Sequence, residues 1–416
     1  MKSKCLHKNS LRNYIEIIRY ALPGLSLAIA GLPVYIYLPK FFIDFFQMPV
    51  TTVTLIIIAT RVFDAITDPI IGAISDKISQ HRRKLLISSM IISPALLALV
   101  LFPPIENITI IVALSMTLFL FNFGITAINY YNLAYDIAKE PSLHFQLVRA
   151  RELFILIGIL VAGGLATQAN SEPDTFRLTM IIVYSFLTII SVLVLPGAKQ
   201  HKAQSKIELI NVRKIIRNRT FLKIVLAYFL NNFAAAMPAT LFLFYVADTL
   251  NAEQQSSTLL GLYFLAALIS IKLWGVIVSR VGLIKAWKLG IIGSISTFIW
   301  ASFLGTGDIW YFALICFSSG LFLGADLTIP VTIMSESIPK DQAGGIYYGI
   351  WTTVTKITLA LSAGLGVYIA SILSLSFSSI THASSIALSY SLIPCVIKLF
   401  TFIILVRIYP EGDECV

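Results

Sequence analysis

The segment Arg61-Val-Phe-Asp64-Ala-Ile-Thr67-Asp68-Pro69 sets two carboxylates four residues apart inside an otherwise apolar stretch. On a helix that spacing puts both on one face. A charge in hydrocarbon costs several kcal/mol, so acids at such depth face a wet cavity or a partner. Two carboxylates on one face suit a hard monovalent cation or a shared proton. Pro69 has no N–H, so the Ala65 carbonyl loses its helical partner and is expected to lie free between the acids. Thr67 adds a hydroxyl. Arg61, one turn before Asp64, offers the plainer alternative of a salt bridge that only lowers the cost of insertion, but one arginine does not neutralise two acids.

A second charge stands at Lys356, in Tyr347-Tyr-Gly-Ile-Trp351-Thr-Thr-Val-Thr-Lys356. It is too far from either end of its apolar run to snorkel easily. Its simplest partner is the acid pair, either as a fixed ion pair or as a tethered cation that senses whether the site is filled. In the second case an occupied site releases the lysine, which couples cation binding to a conformational change.

The elements that position these groups are membrane spans. The chain has 416 residues, of which 57% are hydrophobic and 12% charged. Soluble domains carry roughly 25% charged residues. Reading for about 20 apolar residues per helix gives spans near 20–43, 51–75, 85–103, 108–135, 151–169 and 177–196. A second set follows near 221–247, 257–279, 286–305, 309–334, 346–373 and 384–408. The one long polar stretch, 197–219, separates the sets.

Loop charge tests this map. Of the 31 Lys and Arg, only Lys40 and Arg177 fall in outer loops if the N-terminus is inside. Arg61, Lys272, Lys356 and Lys398 lie within spans, and the rest occupy inner loops and tails. That bias places both termini in the cytoplasm. It also explains the net charge of +10 without a nucleic-acid partner.

Gly72-Ala-Ile-Ser-Asp76-Lys77, leading into Arg82, Arg83 and Lys84, is echoed half a chain later by Gly275-Val-Ile-Val-Ser279-Arg280. The first copy resembles the loop signature of the major facilitator superfamily, a conformational gate, although Ser279 takes the acidic place in the second. Parallel six-helix repeats fit that superfamily. The expected fold is an all-α membrane protein with about twelve transmembrane helices in two bundles. Residues 1–196 form the first, 197–219 a cytoplasmic basic linker and 220–416 the second.

The span from Arg61 to Lys84, with its Asp-Ala-x-x-Asp-Pro core, resembles the helix-two signature of the glycoside–pentoside–hexuronide:cation symporters, the melibiose permease-like family. The likeness extends to Ile128-Asn129-Tyr-Tyr131-Asn132-Leu, to Gln146-Leu-Val-Arg-Ala-Arg151 and to the region of Lys356. It implies that Asp64 and Asp68 hold Na⁺, Li⁺ or H⁺, that Lys356 and Arg151 take part in coupling, and that Tyr35 and Tyr131 stack on a sugar. Ala28 and Ala127 stand where that family places sugar-binding acids, so galactoside specificity does not carry over. Asn129, Asn132, Asn231 and Asn232 offer replacement hydrogen bonds, with Trp351 and Asp326 as further candidates for the substrate cavity. The plainer reading of each Asn is a side chain that satisfies backbone groups. Lys272 and Lys398 are expected to snorkel inward or sit in local pairs.

Nothing suggests an enzyme. The five histidines map to tails or loops, and no phosphate loop, nucleophile–base pair or metal cluster appears. Cys5, Cys316, Cys395 and Cys415 are expected as free thiols. The expectation is a monomeric, multi-pass protein of a bacterial inner membrane that moves a small sugar or glycoside with Na⁺ or H⁺ and needs no cofactor. The rivals are a carrier of amphipathic lipid and a non-transporting sensor on a carrier fold.

Overall fold

The computed structural model describes residues 2–104, 106–138, 140–166, 172–197, 215, 218–339, 342–376 and 386–410. Among the described residues there is no strand, and these residues form twelve long helices. They are α1 (Lys2–Asp44), α2 (Val50–Lys77), α3 (Arg82–Leu101), α4 (Ile108–Ile137), α5 (Pro141–Ala166) and α6 (Pro173–Val194), then α7 (Arg219–Phe244), α8 (Ser256–Val281), α9 (Leu283–Phe298), α10 (Ile309–Glu336), α11 (Gly345–Ser376) and α12 (Ile393–Ile408). Nine spans among the described residues are long and apolar enough to cross a membrane. Helix is the expected answer, because a segment in lipid must satisfy its own backbone donors and acceptors.

The polarity of α2 is turned inside out. Its buried stripe carries Thr60, Asp64, Asp68, Ser75 and Asp76, while Leu55, Ile58, Ile66, Ile70 and Ile74 are exposed. A soluble helix would do the reverse. This arrangement belongs in lipid, and the protein is an integral, multi-pass membrane protein.

Two helices outrun their sequence-predicted spans. α1 starts at Lys2 and α5 at Pro141, so polar turns extend both beyond the apolar run. Hydropathy reads only the part that sits in hydrocarbon. One consequence is that His144, expected in a loop, lies in the first turns of α5 and is buried.

The chain divides into two compact units, residues 1–211 with 338–353 and residues 212–337 with 354–416. The first turns of α11 therefore belong to the first unit and its remainder to the second. In the first unit α1 packs along α5 and α6, and α4 packs against α2 and α3. Phe41, Phe42, Val100, Phe119, Phe176 and Tyr184 fill part of its core. In the second unit α10 packs on α8 and α9, and α7 on α12. Tyr245 and Tyr390, each in a π-helical turn, stack there at 4.2 Å between ring centroids.

Candidate cation and coupling site

Asp64 and Asp68 come to the same place, as their spacing requires. Both are buried, at 1% and 0% exposure. A Cβ built on Gly124 of α4 would lie 3.0 Å from Asp68 Oδ1 and 3.5 Å from Asp64 Oδ1. Both carboxylates thus lie near one point on α4, where a side chain would be tight against Asp68 and in contact with Asp64. Glycine inside a helix costs about 1 kcal/mol relative to alanine; here it keeps space in front of two acids. Arg61 is half-buried on the same helix.

Two expected ligand atoms have hydrogen-bond partners of their own. The Ala65 carbonyl released by Pro69 is not free between the acids, because it accepts the Thr353 hydroxyl of α11 at 3.1 Å. Buried carbonyls are rarely left unsatisfied, and a passing hydroxyl takes this one. The Thr67 hydroxyl donates to the Asp64 main-chain carbonyl at 3.2 Å, the usual back-bond of a helical threonine.

The first turns of α11 lie in backbone contact with α2. A Cβ on Gly349 would sit 2.6 Å from the Asp68 carbonyl oxygen, and one on Gly72 would sit 2.4 Å from that of Gly345. At the end of this crossing the Asp76 carboxylate accepts the Gly345 and Ile346 amides at 2.7 and 2.9 Å. A carboxylate on the free N–H groups of a helix start is favoured by both hydrogen bonding and the helix dipole. Arg82 steadies this acid, with Nη2 3.1 Å from Asp76 Oδ1 and Nη1 paired to Asp136.

The other loop residues singled out from sequence divide. Gly72, Asp76 and Arg82 converge. Lys77 is exposed, and Arg83 donates instead to the Leu195 carbonyl beyond α6 at 3.1 Å.

Asn129 and Asn132 are drawn into the same polar cluster. Asn129 donates to the Ile125 carbonyl at 2.7 Å and accepts from Ser75 at 2.7 Å, while Ser75 accepts from Arg82 Nε at 3.0 Å. With its amide oxygen inward, Asn132 accepts from Arg82 Nη2 at 3.1 Å and from the Gly345 amide at 2.9 Å. Both asparagines thus have hydrogen-bond partners within the first unit.

Arg151 is fully buried on α5 and bonds Glu152 Oε1 through Nε and Nη2, at 3.0 and 2.7 Å. Its guanidinium lies 4.3 Å from the Tyr131 ring centroid. A cation over a tyrosine face is attractive, and more so away from water. This assigns one face of Tyr131 to the arginine. Trp351 is buried, and Tyr35 lies outside the described side chains. His144 Nε2 is 3.2 Å from the Tyr348 hydroxyl of α11.

Lys356 is half-buried and falls in the second unit. That unit has its own charged centre, where Asn231 of α7, Asp326 of α10 and Lys398 of α12 bond one another. Lys398 sits in a local pair there. Asn232 donates to Thr358. Cys316 and Cys395 are buried free thiols. Gly124, Thr353, Glu152 and Asp136 were not singled out in the sequence. Only Glu152 carried a local signal, an acid beside Arg151 in an apolar run.

Long apolar helices around buried, hydrogen-bonded charges are the frame of an integral membrane protein. The sequence profile of the MFS/sugar transport protein family matches residues 19–411, and the chain belongs to that family of the major facilitator superfamily. No curated protein sequence matches the chain. Solved structures share its fold. A bacterial homologue of the iron transporter ferroportin, in an outward-facing state, superposes with a TM-score of 0.72 at 17% identity, covering 94% of this chain and 99% of that one. The E. coli fucose:proton symporter gives 0.72 at 15% identity, covering 96% and 100%.

Proposed function

We propose that this transporter is a cation-coupled symporter of a small sugar or glycoside, of the melibiose permease-like type, working by alternating access. The observation that carries the reading is the pair of buried carboxylates, Asp64 and Asp68, facing Gly124 on one wall of α4. Together they hold −2 when ionised, and Arg61 supplies at most +1. A bound Na⁺ or a proton offsets the remainder, because an uncompensated charge at membrane depth costs several kcal/mol. Lys356 is the tethered cation that competes for the site when it is empty. Arg151, seated on Tyr131, takes part in the coupling within the first unit. The family match to sugar transport proteins and the fold shared with a fucose:proton symporter support the substrate class. The setting proposed is a bacterial inner membrane, with both termini cytoplasmic and the protein monomeric.

The crossing of α2 and α11 supplies the transmission. Thr353 holds the Ala65 carbonyl, next to Asp64 and about one turn before Asp68, and α11 continues from there to Lys356. Filling the acid pair therefore acts on the helix that carries the lysine.

Sugar uptake with and without Na⁺, and across pH, tests the proposal. Asp64→Asn and Asp68→Asn should insert normally, since Asn keeps the shape, and each should abolish accumulation against a gradient while downhill entry survives in at least one. Lys356→Ala should change the choice of cation. Normal accumulation ratios in well-expressed Asp64→Asn and Asp68→Asn proteins would sink the coupling assignment.

A further inference from the structure

The trio in the second unit is built from three helices and is more than a closed ion pair. Asn231 Nδ2 donates to Asp326 Oδ1 at 3.0 Å. Lys398 Nζ donates to Asp326 Oδ2 at 2.6 Å and to Asn231 Oδ1 at 3.3 Å. The Asp326 and Lys398 side chains keep 11% and 8% exposure, so the cluster is not sealed.

We propose that Asp326, held in place by Asn231 and Lys398, is a hydroxyl-binding site for a vicinal diol of the transported sugar. This rests on the sugar-transport reading above and adds to it a site within the second unit.

Hydrogen-bond capacity selects the ligand class. A carboxylate accepts at about four lone-pair positions, an ammonium donates three N–H groups and an amide nitrogen two. The internal bonds use one position on each Asp326 oxygen, two of the lysine donors and one of the amide donors. One lone pair of the Asn231 amide oxygen is also used, so three acceptors, one on each carboxylate oxygen and one on Asn231 Oδ1, and two donors remain. Two adjacent hydroxyls can donate twice and accept from both donors, which that remainder accommodates. A metal cation would use the acceptors alone and meet the Lys398 charge. An anion would use the donors alone and meet Asp326. The trio is formally neutral, so a neutral ligand adds no uncompensated charge. Neutral polar pairs continue along the same stripe of α7, where Tyr228 meets Thr355 at 2.8 Å and Asn232 meets Thr358.

The competing role is a strut that only joins α7, α10 and α12. The two roles separate in the double variant Asp326→Asn/Lys398→Met. Replacing both members of a buried pair is often neutral for folding, whereas removing one is costly. Uptake of radiolabelled monosaccharides and methyl glycosides is measured in cells with equal amounts of membrane-inserted protein. Each transported sugar is then tried against its singly deoxygenated forms.

Wild type should reject at least one deoxy form by about tenfold or more, the worth of a hydrogen bond to a charged group. In the double variant KM should rise by a similar factor, and discrimination against that form should vanish. Wild-type KM and discrimination in the double variant overturn the hydroxyl site and leave the transport proposal standing. Absence of any sugar uptake by wild type overturns both. If the double variant does not insert, Asn231→Ala, which leaves the ion pair whole, answers the same question: unchanged discrimination overturns the site.

Discussion

The coupling proposal turns on the space that Gly124 leaves. Its missing Cβ would stand 3.0 Å from Asp68 Oδ1, closer than a methyl carbon and a carboxylate oxygen comfortably approach. Gly124→Ala should therefore lower the apparent affinity for the coupling cation by about tenfold, roughly 1.4 kcal/mol. Insertion should be unaffected, since alanine suits the helix better. Gly163→Ala on α5 meets nothing within 4 Å and serves as the control. The cation dependence of initial uptake rates measures both. Equal cation affinities in the two variants would remove Gly124 from the site.

At the scale of elements, the junction of α2 with the start of α11 is held by an acid rather than by apolar packing. Asp76 and Arg82 are both buried, with side-chain exposures of 3% and 4%. Removing one partner of such a pair costs about 3–5 kcal/mol, and the lost helix cap costs about 1 kcal/mol more. Asp76→Asn keeps an amide oxygen for one of the two backbone donors, whereas Asp76→Ala keeps none. Thermal unfolding in detergent should rank wild type above Asp76→Asn and Asp76→Asn above Asp76→Ala. Equal midpoints for the two variants would mean that Asp76 acts through Arg82 alone. The same crossing explains the glycines, because side chains at Gly72 or Gly349 would push against backbone oxygen.

For the whole molecule, the prediction is topological. An excess of Lys and Arg in alternate loops predicts the orientation of the chain. Reporter fusions at Ser79, Gly197 and Lys340 should read cytoplasmic, and those at Asn107, Asp174 and Asp308 external. A cytoplasmic reading at Asp174 would break the six-plus-six map. Arg177, the outer-loop arginine of α6, is compatible with that map. Its guanidinium lies 4.5 Å from the ring centroids of Phe45 and Phe102 and is paired with Asp174. The charge is thus absorbed by aromatic faces and a local acid.

What the sequence by itself determined is local. Apolar runs of spanning length fixed the all-α class. The i,i+4 spacing put Asp64 and Asp68 on one face, and Pro69 freed the Ala65 carbonyl; each is a property of one helix. Partners were decided only by tertiary structure. Thr353 takes the Ala65 carbonyl from 288 residues away, and Gly124 opposes the acids from another helix. Asn129 and Asn132, candidates for a sugar by residue type, are committed to the Asp76–Arg82 cluster. Lys398 finds Asp326 across 72 residues. Periodicity is written in neighbouring residues. Which helix meets which, and at what height, depends on packing that no single segment encodes.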